Sequence, residues 1–113
     1  MVRVLVTVEP RMYREAIALY VQRNRPEAEV MLVPEEVLDG QVKDFAPHVL
    51  VRNDSDRAIP EGLLSSVVCR IEVLYTDGMA ARVSVGASSY TIEDASMEDL
   101  LSLVDEVESL PSA

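Results

Sequence analysis

The residues best suited to chemistry lie where two apolar segments end. The residues there carry carboxylate and guanidinium groups. Carboxylates bind hard divalent cations through oxygen, and guanidinium groups bind carboxylate or phosphate anions. If the two segments are parallel strands, their ends meet at the edge where open α/β sheets bind ligands. The pattern therefore indicates a candidate anion or small-ligand site at one corner. Its residues are Glu9, Arg11, Arg52, Asn53, Asp54 and Arg57.

A metal site is the competing interpretation of the same corner. Glu9 with Asp54 and Asp56 would supply three carboxylates. The plainer reading is an acid at the start of a helix followed, further along the chain, by two aspartates in turns. We favour the plainer reading and expect neither a metal nor a cofactor.

Two other reactive side chains occur once each. His48 is the only histidine and begins an apolar run, with no serine or cysteine close in sequence. Cys69 is the only cysteine and falls on the apolar face of a strand-like segment. We expect both to be structural, and a single cysteine that forms no internal disulfide is typical of a reducing compartment.

The first half of the chain predicts the elements that position the corner. Residues 2–8 and 28–33 and the run "HVLV" are short, β-branched and apolar, which is typical of buried strands. Helices are predicted from Pro10 and from Pro34, because proline suits a first turn. Right-handed crossovers make this β-α-β-α-β order a parallel sheet.

The first predicted helix has an apolar face of Tyr13, Ala16, Ile17, Tyr20 and Val21. Met12 and Leu19 lie off that face. The second helix is expected to bury Val37, Leu38, Val42 and Phe45.

The second half predicts a hairpin around Thr76-Asp77-Gly78. A three-residue loop places Glu72 opposite Arg82 and keeps the apolar residues of both strands on one face. A two-residue loop would mix the faces. Gly78 then takes the left-handed position that such loops require.

A last helix is predicted from Ser96, which with Asp99 approximates a capping box. Leu103 lies outside the apolar stripe of this helix. The stripe consists of Met97, Leu100, Leu101, Val104, Val107 and Leu110. Residues 1–113 are therefore expected to form one α/β domain, a flavodoxin-like three-layer sandwich with a parallel half, an antiparallel hairpin and a C-terminal helix.

Two segments carry a family resemblance, which spans residues 3–53. "VLVTVEPRMYREAI" and "FAPHVLVRN" resemble the first and third strands of response-regulator receiver domains. Carried over by position, the acid pair of that family falls on Val8 and Glu9, and its phosphate-accepting aspartate falls on Asn53. The only lysine is Lys43, in the second predicted helix. The resemblance therefore implies a pseudo-receiver without phosphotransfer chemistry.

Charge and hydropathy limit the partners. The net charge of -10 argues against nucleic acid. The apolar runs are too short to span a membrane and the N-terminus is too short for a signal peptide, so we expect a cytoplasmic protein. Residues 1–25 are rich in arginine, whereas residues 93–113 hold seven acids and no base. This asymmetry is typical of two solvated helix faces, or of complementary surfaces within or between chains.

The function expected from these observations is a non-enzymatic, receiver-like signalling or regulatory module. It would act by binding a protein partner, including a second copy of itself, through Met12, Leu19 and Leu103. The alternative is a sensor of a small ligand or anion at the corner.

Overall fold

A computed structural model of the chain describes residues 2–53, 62, 65–75 and 79–110. These residues form one six-stranded sheet, in the order β2-β1-β3-β4-β5-β6, with three α-helices. A single 3₁₀ turn, Glu35–Val37, precedes the second helix. The elements are β1 Arg3–Val6, α1 Arg11–Asn24, β2 Glu29–Leu32, α2 Leu38–Phe45, β3 Val49–Asn53, β4 Cys69–Tyr75, β5 Met79–Val85, β6 Ser88–Glu93 and α3 Met97–Glu108.

The first three strands are parallel, as the sequence predicts, and β4 adds a fourth parallel strand. β1 pairs with β2 on one side and β3 on the other, and β3 pairs with β4. Val4, Leu5 and Val6 of β1 are completely buried, which is what an apolar, valine-rich strand in the middle of a parallel sheet requires. The chain moves outward from β1 to β2 and then returns to β3, so the direction of winding changes between β1 and β3.

Three layers follow from the alternation of side chains along the strands. Val4 and Val6 pack in the cluster that also contains residues of α1 and α3. Leu5 packs in a second cluster with Leu38 and Val42 of α2. Helices α1 and α3 therefore cover one face of the sheet and α2 covers the other, which confirms the three-layer prediction.

The antiparallel half adopts the predicted register. Glu72 lies opposite Arg82, with 3.8 Å between Oε1 and Nη1, and Tyr75 lies opposite Met79. The three-residue connection is thus confirmed, while Gly78 lies outside the described residues. The structure adds a strand that the sequence prediction lacked, because β6 pairs with β5 through a turn at Gly86 and Ala87. Gly86 has a φ of +58°, the positive value that two-residue hairpin turns demand.

Two helix faces differ from prediction. In α1 the buried residues are Arg14, Ala18 and Val21, whereas Tyr13 and Ala16 are exposed. The buried face of α1 is rotated relative to the predicted one, because Arg14 buries the aliphatic part of its side chain while its guanidinium binds Glu9. In α2, Leu38 and Val42 are buried as expected, but Val37 precedes the helix and is 48% exposed.

Helix α3 begins where the sequence predicts and buries more of its residues than the sequence predicts. Ser96 accepts a hydrogen bond from the Asp99 N–H, and Asp99 Oδ2 accepts one from the Ser96 N–H at 2.8 Å, which confirms the capping box. Leu103 is only 5% exposed, so the prediction that it lies outside the core stripe is wrong. The stripe is wider because α3 packs both on the sheet and beside α1. In the part of the chain that the structure describes, no helix has the length and hydrophobicity to cross a membrane.

Candidate functional site

The predicted corner lies at the carboxyl ends of β1 and β3, where an open sheet offers its crevice. Asn53, the last residue of β3, binds across this edge with its side chain. Its Oδ1 accepts a hydrogen bond from the Glu9 backbone N–H, and its Nδ2 donates one to the Glu9 carbonyl at 3.3 Å. The position that the receiver resemblance assigns to a phosphate acceptor is therefore a two-point link between the β1–α1 turn and β3.

The charged groups of the corner bind one another locally. Glu9 Oε1 accepts a hydrogen bond from Arg14 Nη1 at 3.0 Å, and the Arg14 side chain is 9% exposed. Arg11 Nε donates to Glu15 Oε1 at 2.8 Å, one helical turn away. The guanidinium of Arg11 thus points along the outside of α1 toward a carboxylate.

Arg52 lies on the other side of the sheet from Arg11. Val51 packs toward α1 and α3 and Leu50 toward α2, so alternation directs Arg52 toward the α2 layer. Arg11 and Arg52 therefore extend from different layers of the fold, and their convergence on one anion stays a prediction. Asp54, Asp56 and Arg57 lie outside the described residues. Within the described ranges no group of three or more histidine, cysteine or acidic side chains is arranged to hold a metal.

The single histidine and cysteine have structural environments. His48 Nδ1 accepts a hydrogen bond from the Arg3 backbone N–H at 3.0 Å. Partial burial, together with the positive charge of Arg3, lowers the His48 pKa. Burial raises the pKa of the Cys69 thiol to about 12. The imidazole nitrogen at this bond is therefore occupied, and the thiol lacks the lowered pKa that makes a cysteine reactive near neutral pH.

A cavity of about 220 Å³ lies between α1, α3 and the sheet, near the carboxyl ends of β3 and β4. We call it the α1–α3 cavity. At the far ends of the two helices, the Arg25 guanidinium binds both carboxylate oxygens of Asp105 at 2.6 Å. The helices are joined there, while the cavity opens between their N-terminal halves. Its lining is Tyr13, Ala16, Ile17, Val51, Ile71, Val73, Ala80, Ala81, Ala95, Ser96, Met97, Asp99, Leu100 and Leu103.

This cavity was not predicted from the sequence. Four of its lining residues are alanines, Ala16, Ala80, Ala81 and Ala95, which come from three separate parts of the chain. A void forms where small side chains meet, but nothing in their spacing along the sequence shows that they meet.

Comparison with known proteins agrees on the fold. One solved structure with a similar architecture is the methionyl-tRNA formyltransferase from Clostridium thermocellum, with a TM-score of 0.52 and 10% sequence identity. The match covers 84% of this chain and 55% of that one, so the chain spans about half the length of the enzyme. No protein-family model matches the chain, and a sequence comparison with curated proteins gave no match. The shared feature is a three-layer, Rossmann-like α/β fold, with which a flavodoxin-like arrangement is compatible.

This comparison corrects one prediction. The sequence predicts a protein that is not an enzyme, whereas the methionyl-tRNA formyltransferase of similar fold is an enzyme. At 10% sequence identity the similarity shows the fold alone. Folds of this kind carry many unrelated functions. It overturns the expectation and identifies no reaction.

The predicted interface residues have different environments. Met12 is 68% exposed and Leu19 is 52% exposed. They are seven residues apart, close to two turns of α1, and exposed Ala16 lies between them. We call these three residues the α1 apolar strip. Leu103, by contrast, is buried and lines the α1–α3 cavity.

Proposed function

We propose that the chain is a receiver-like signalling or regulatory module that acts by binding a protein partner, and that a second copy of the chain is that partner. The observation that carries the proposal is the α1 apolar strip. Met12, Ala16 and Leu19 lie in a row along an outer face of a surface helix. Contiguous exposed apolar residues of this kind, rimmed by charge, are typical of interaction sites.

Apolar burial must supply the affinity in this proposal. Burial of apolar surface contributes roughly 25 cal/mol per Å², whereas exposed ion pairs contribute about 0–1 kcal/mol each. Among the described residues, the one ion pair between the basic α1 segment and the acidic helix α3 joins Arg25, which follows α1, to Asp105 within one chain. Part of the charge complementarity between α1 and α3 is therefore satisfied within one chain. The α1 apolar strip is then the surface that would hold two copies together.

The receiver-like part of the proposal is supported by the order of the parallel strands and by Asn53. An amide has no carboxylate and does not form an acyl phosphate. Asn53 also uses both groups of its amide on the Glu9 backbone. Regulation in this proposal acts through association rather than through phosphorylation at position 53.

The test is the mass of the protein in solution. Light scattering at about 50 μM, a concentration at which weak dimers form, is expected to give twice the chain mass in both 0.15 M and 1 M NaCl. Leu19→Asp and Met12→Asp are each expected to give monomer, because a charge would be buried in the contact. Ser89→Asp is the control, since it adds the same charge at an exposed position of β6.

A monomer for the unchanged protein would overturn self-association. A dimer that survives both strip variants would place the contact elsewhere on the molecule. Circular dichroism of each variant separates loss of association from loss of fold.

The alternative, a sensor that uses the corner, divides into two forms. The anion form has less support, because Arg11 binds Glu15 and alternation along β3 directs Arg52 toward the α2 layer. The small-ligand form has one observation in its favour, the α1–α3 cavity beside the corner.

A further inference from the structure

We propose that the α1–α3 cavity binds a small ligand with an apolar body and a primary ammonium group. The site shares Ala16 with the α1 apolar strip but neither of its large side chains, because Met12 and Leu19 do not line the cavity. The proposal therefore goes beyond self-association and does not depend on it.

The lining selects an apolar body. Ile17 of α1, Val51, Ile71 and Val73 of the sheet, and Leu100 of α3 present only hydrocarbon to the cavity. Pockets of this composition, with few polar groups, are the usual form of small-molecule sites. Because an engineered apolar cavity of ~150 Å³ accepts benzene, a volume of about 220 Å³ suits a body of roughly six to nine non-hydrogen atoms.

The polar group at the mouth is an acid. Asp99 lines the cavity, and its Oδ2 accepts the capping hydrogen bonds from Ser96. Its Oδ1 has no hydrogen bond within the described part of the chain. That oxygen is the group that an ammonium N–H would reach, in a charge-assisted bond.

The surroundings of the mouth carry negative charge. Glu93, Asp94 and Glu98 flank the lining segment Ala95–Met97, and all three are exposed. The arginines nearest to Tyr13 in α1, Arg11 and Arg14, are each paired with a carboxylate. An anionic ligand would be repelled from this rim, whereas a cation would be attracted.

An aromatic ring adds to the preference for a cation. Tyr13 lines the cavity and is 45% exposed, which places it at the mouth rather than at the base. The faces of aromatic rings attract ammonium groups. Apolar lining, acid and aromatic ring together specify an alkyl or aryl amine rather than an alcohol or an acid.

The test compares three probes with the same chain and different charge: n-hexylammonium, 1-hexanol and hexanoate. Each is titrated into the full-length protein while NMR shifts are followed. We expect hexylammonium to bind about fivefold more tightly than hexanol, the scale of one partly exposed ion pair, and hexanoate to bind most weakly. The shifts are expected on the methyl groups of Ile17, Ala81 and Leu100.

Two variants, each with a control variant, separate the effect of charge from the effect of cavity shape. Asp99→Asn keeps an acceptor for the cap and removes the charge, so hexylammonium is expected to lose its advantage over hexanol. Glu108→Gln removes one charge from the exposed far end of α3 and is expected to leave that ratio unchanged. Ala81→Leu fills the cavity and is expected to abolish binding of all three probes, while Leu19→Asp is expected to retain it.

The proposal is overturned if hexanoate binds as tightly as hexylammonium, or if the unchanged protein shows no shifts at the cavity methyl groups. It is also overturned if Asp99→Asn keeps the full preference for the amine. Should Ala81→Leu fail to fold, the mapping of shifts on the unchanged protein still decides where the probes bind.

Discussion

At the scale of single residues, the hydrogen-bond partners of Asn53 suit an amide at this position rather than a carboxylate. Its amide binds the N–H and the C=O of Glu9, so it both accepts and donates. An ionised aspartate only accepts. The carboxylate that a receiver domain would carry here is thus incompatible with the second of the two bonds.

We predict that Asn53→Asp destabilises the protein by about 1 kcal/mol or more, because one hydrogen bond is lost and a carboxylate faces the Glu9 carbonyl. Urea unfolding followed by circular dichroism measures this change. Asn53→Ala, which removes both bonds without adding a charge, is the comparison. Equal stability of the aspartate variant and the unchanged protein would show that the link contributes nothing.

At the scale of elements, two glycines show opposite requirements of the backbone. Gly40 lies in α2, where it is exposed and a Cβ would meet no atom within 4 Å. Gly86 lies in the β5–β6 turn with a φ of +58°. Helical backbone favours alanine over glycine, whereas positive φ favours glycine over alanine.

The same substitution is therefore expected to act in opposite directions at these positions. Gly40→Ala should stabilise the protein by about 0.5–1 kcal/mol, and Gly86→Ala should destabilise it by on the order of 1 kcal/mol. Thermal melting of the two variants side by side measures both. Changes of the same sign would contradict the assignment of one of the two elements.

At the scale of the whole molecule, charge is the dominant feature. The chain has a net charge of -10, and α3 carries five acids and no base. The bidentate pair of Arg25 and Asp105 joins α3 to α1, and the Arg25 hydrogen bond lowers the pKa of Asp105. One such pair leaves most of the negative charge uncompensated, and like charges repel in the compact state.

We predict that raising NaCl from 0.02 M to about 0.5 M increases the melting temperature, because the screening length falls from roughly 20 Å to about 4 Å. Screening would weaken the exposed ion pairs too, but they contribute little individually. Differential scanning calorimetry measures the shift, with an equal osmolality of glycerol as the control. A lower melting temperature in salt would mean that ion pairs outweigh the repulsion.

Local patterns in the sequence were sufficient for the order of the elements in the parallel half and for the register of the β4–β5 hairpin. Apolar β-branched runs and proline-led helices predicted the parallel half. Face parity placed Glu72 opposite Arg82, because a slip of one residue would turn every side chain to the wrong side of the strand. Ser96 and Asp99 predicted the start of α3 because a cap involves only residues close in sequence. Each of these predictions depends on neighbours within a few residues or on simple alternation.

Other features depend on which elements meet. Strand β6 is mostly polar and exposed, so it lacks an apolar alternation and exists as a strand because β5 offers it an edge. Arg14 is buried only because Glu9 comes within 3.0 Å of it. The α1–α3 cavity needs alanines from α1, β5 and the turn before α3 at one place. Sequence periodicity specifies which way a side chain faces relative to its own helix or strand. The size and charge of the residues that lie opposite it are set by packing between elements that are distant in sequence, so only the tertiary structure decides them.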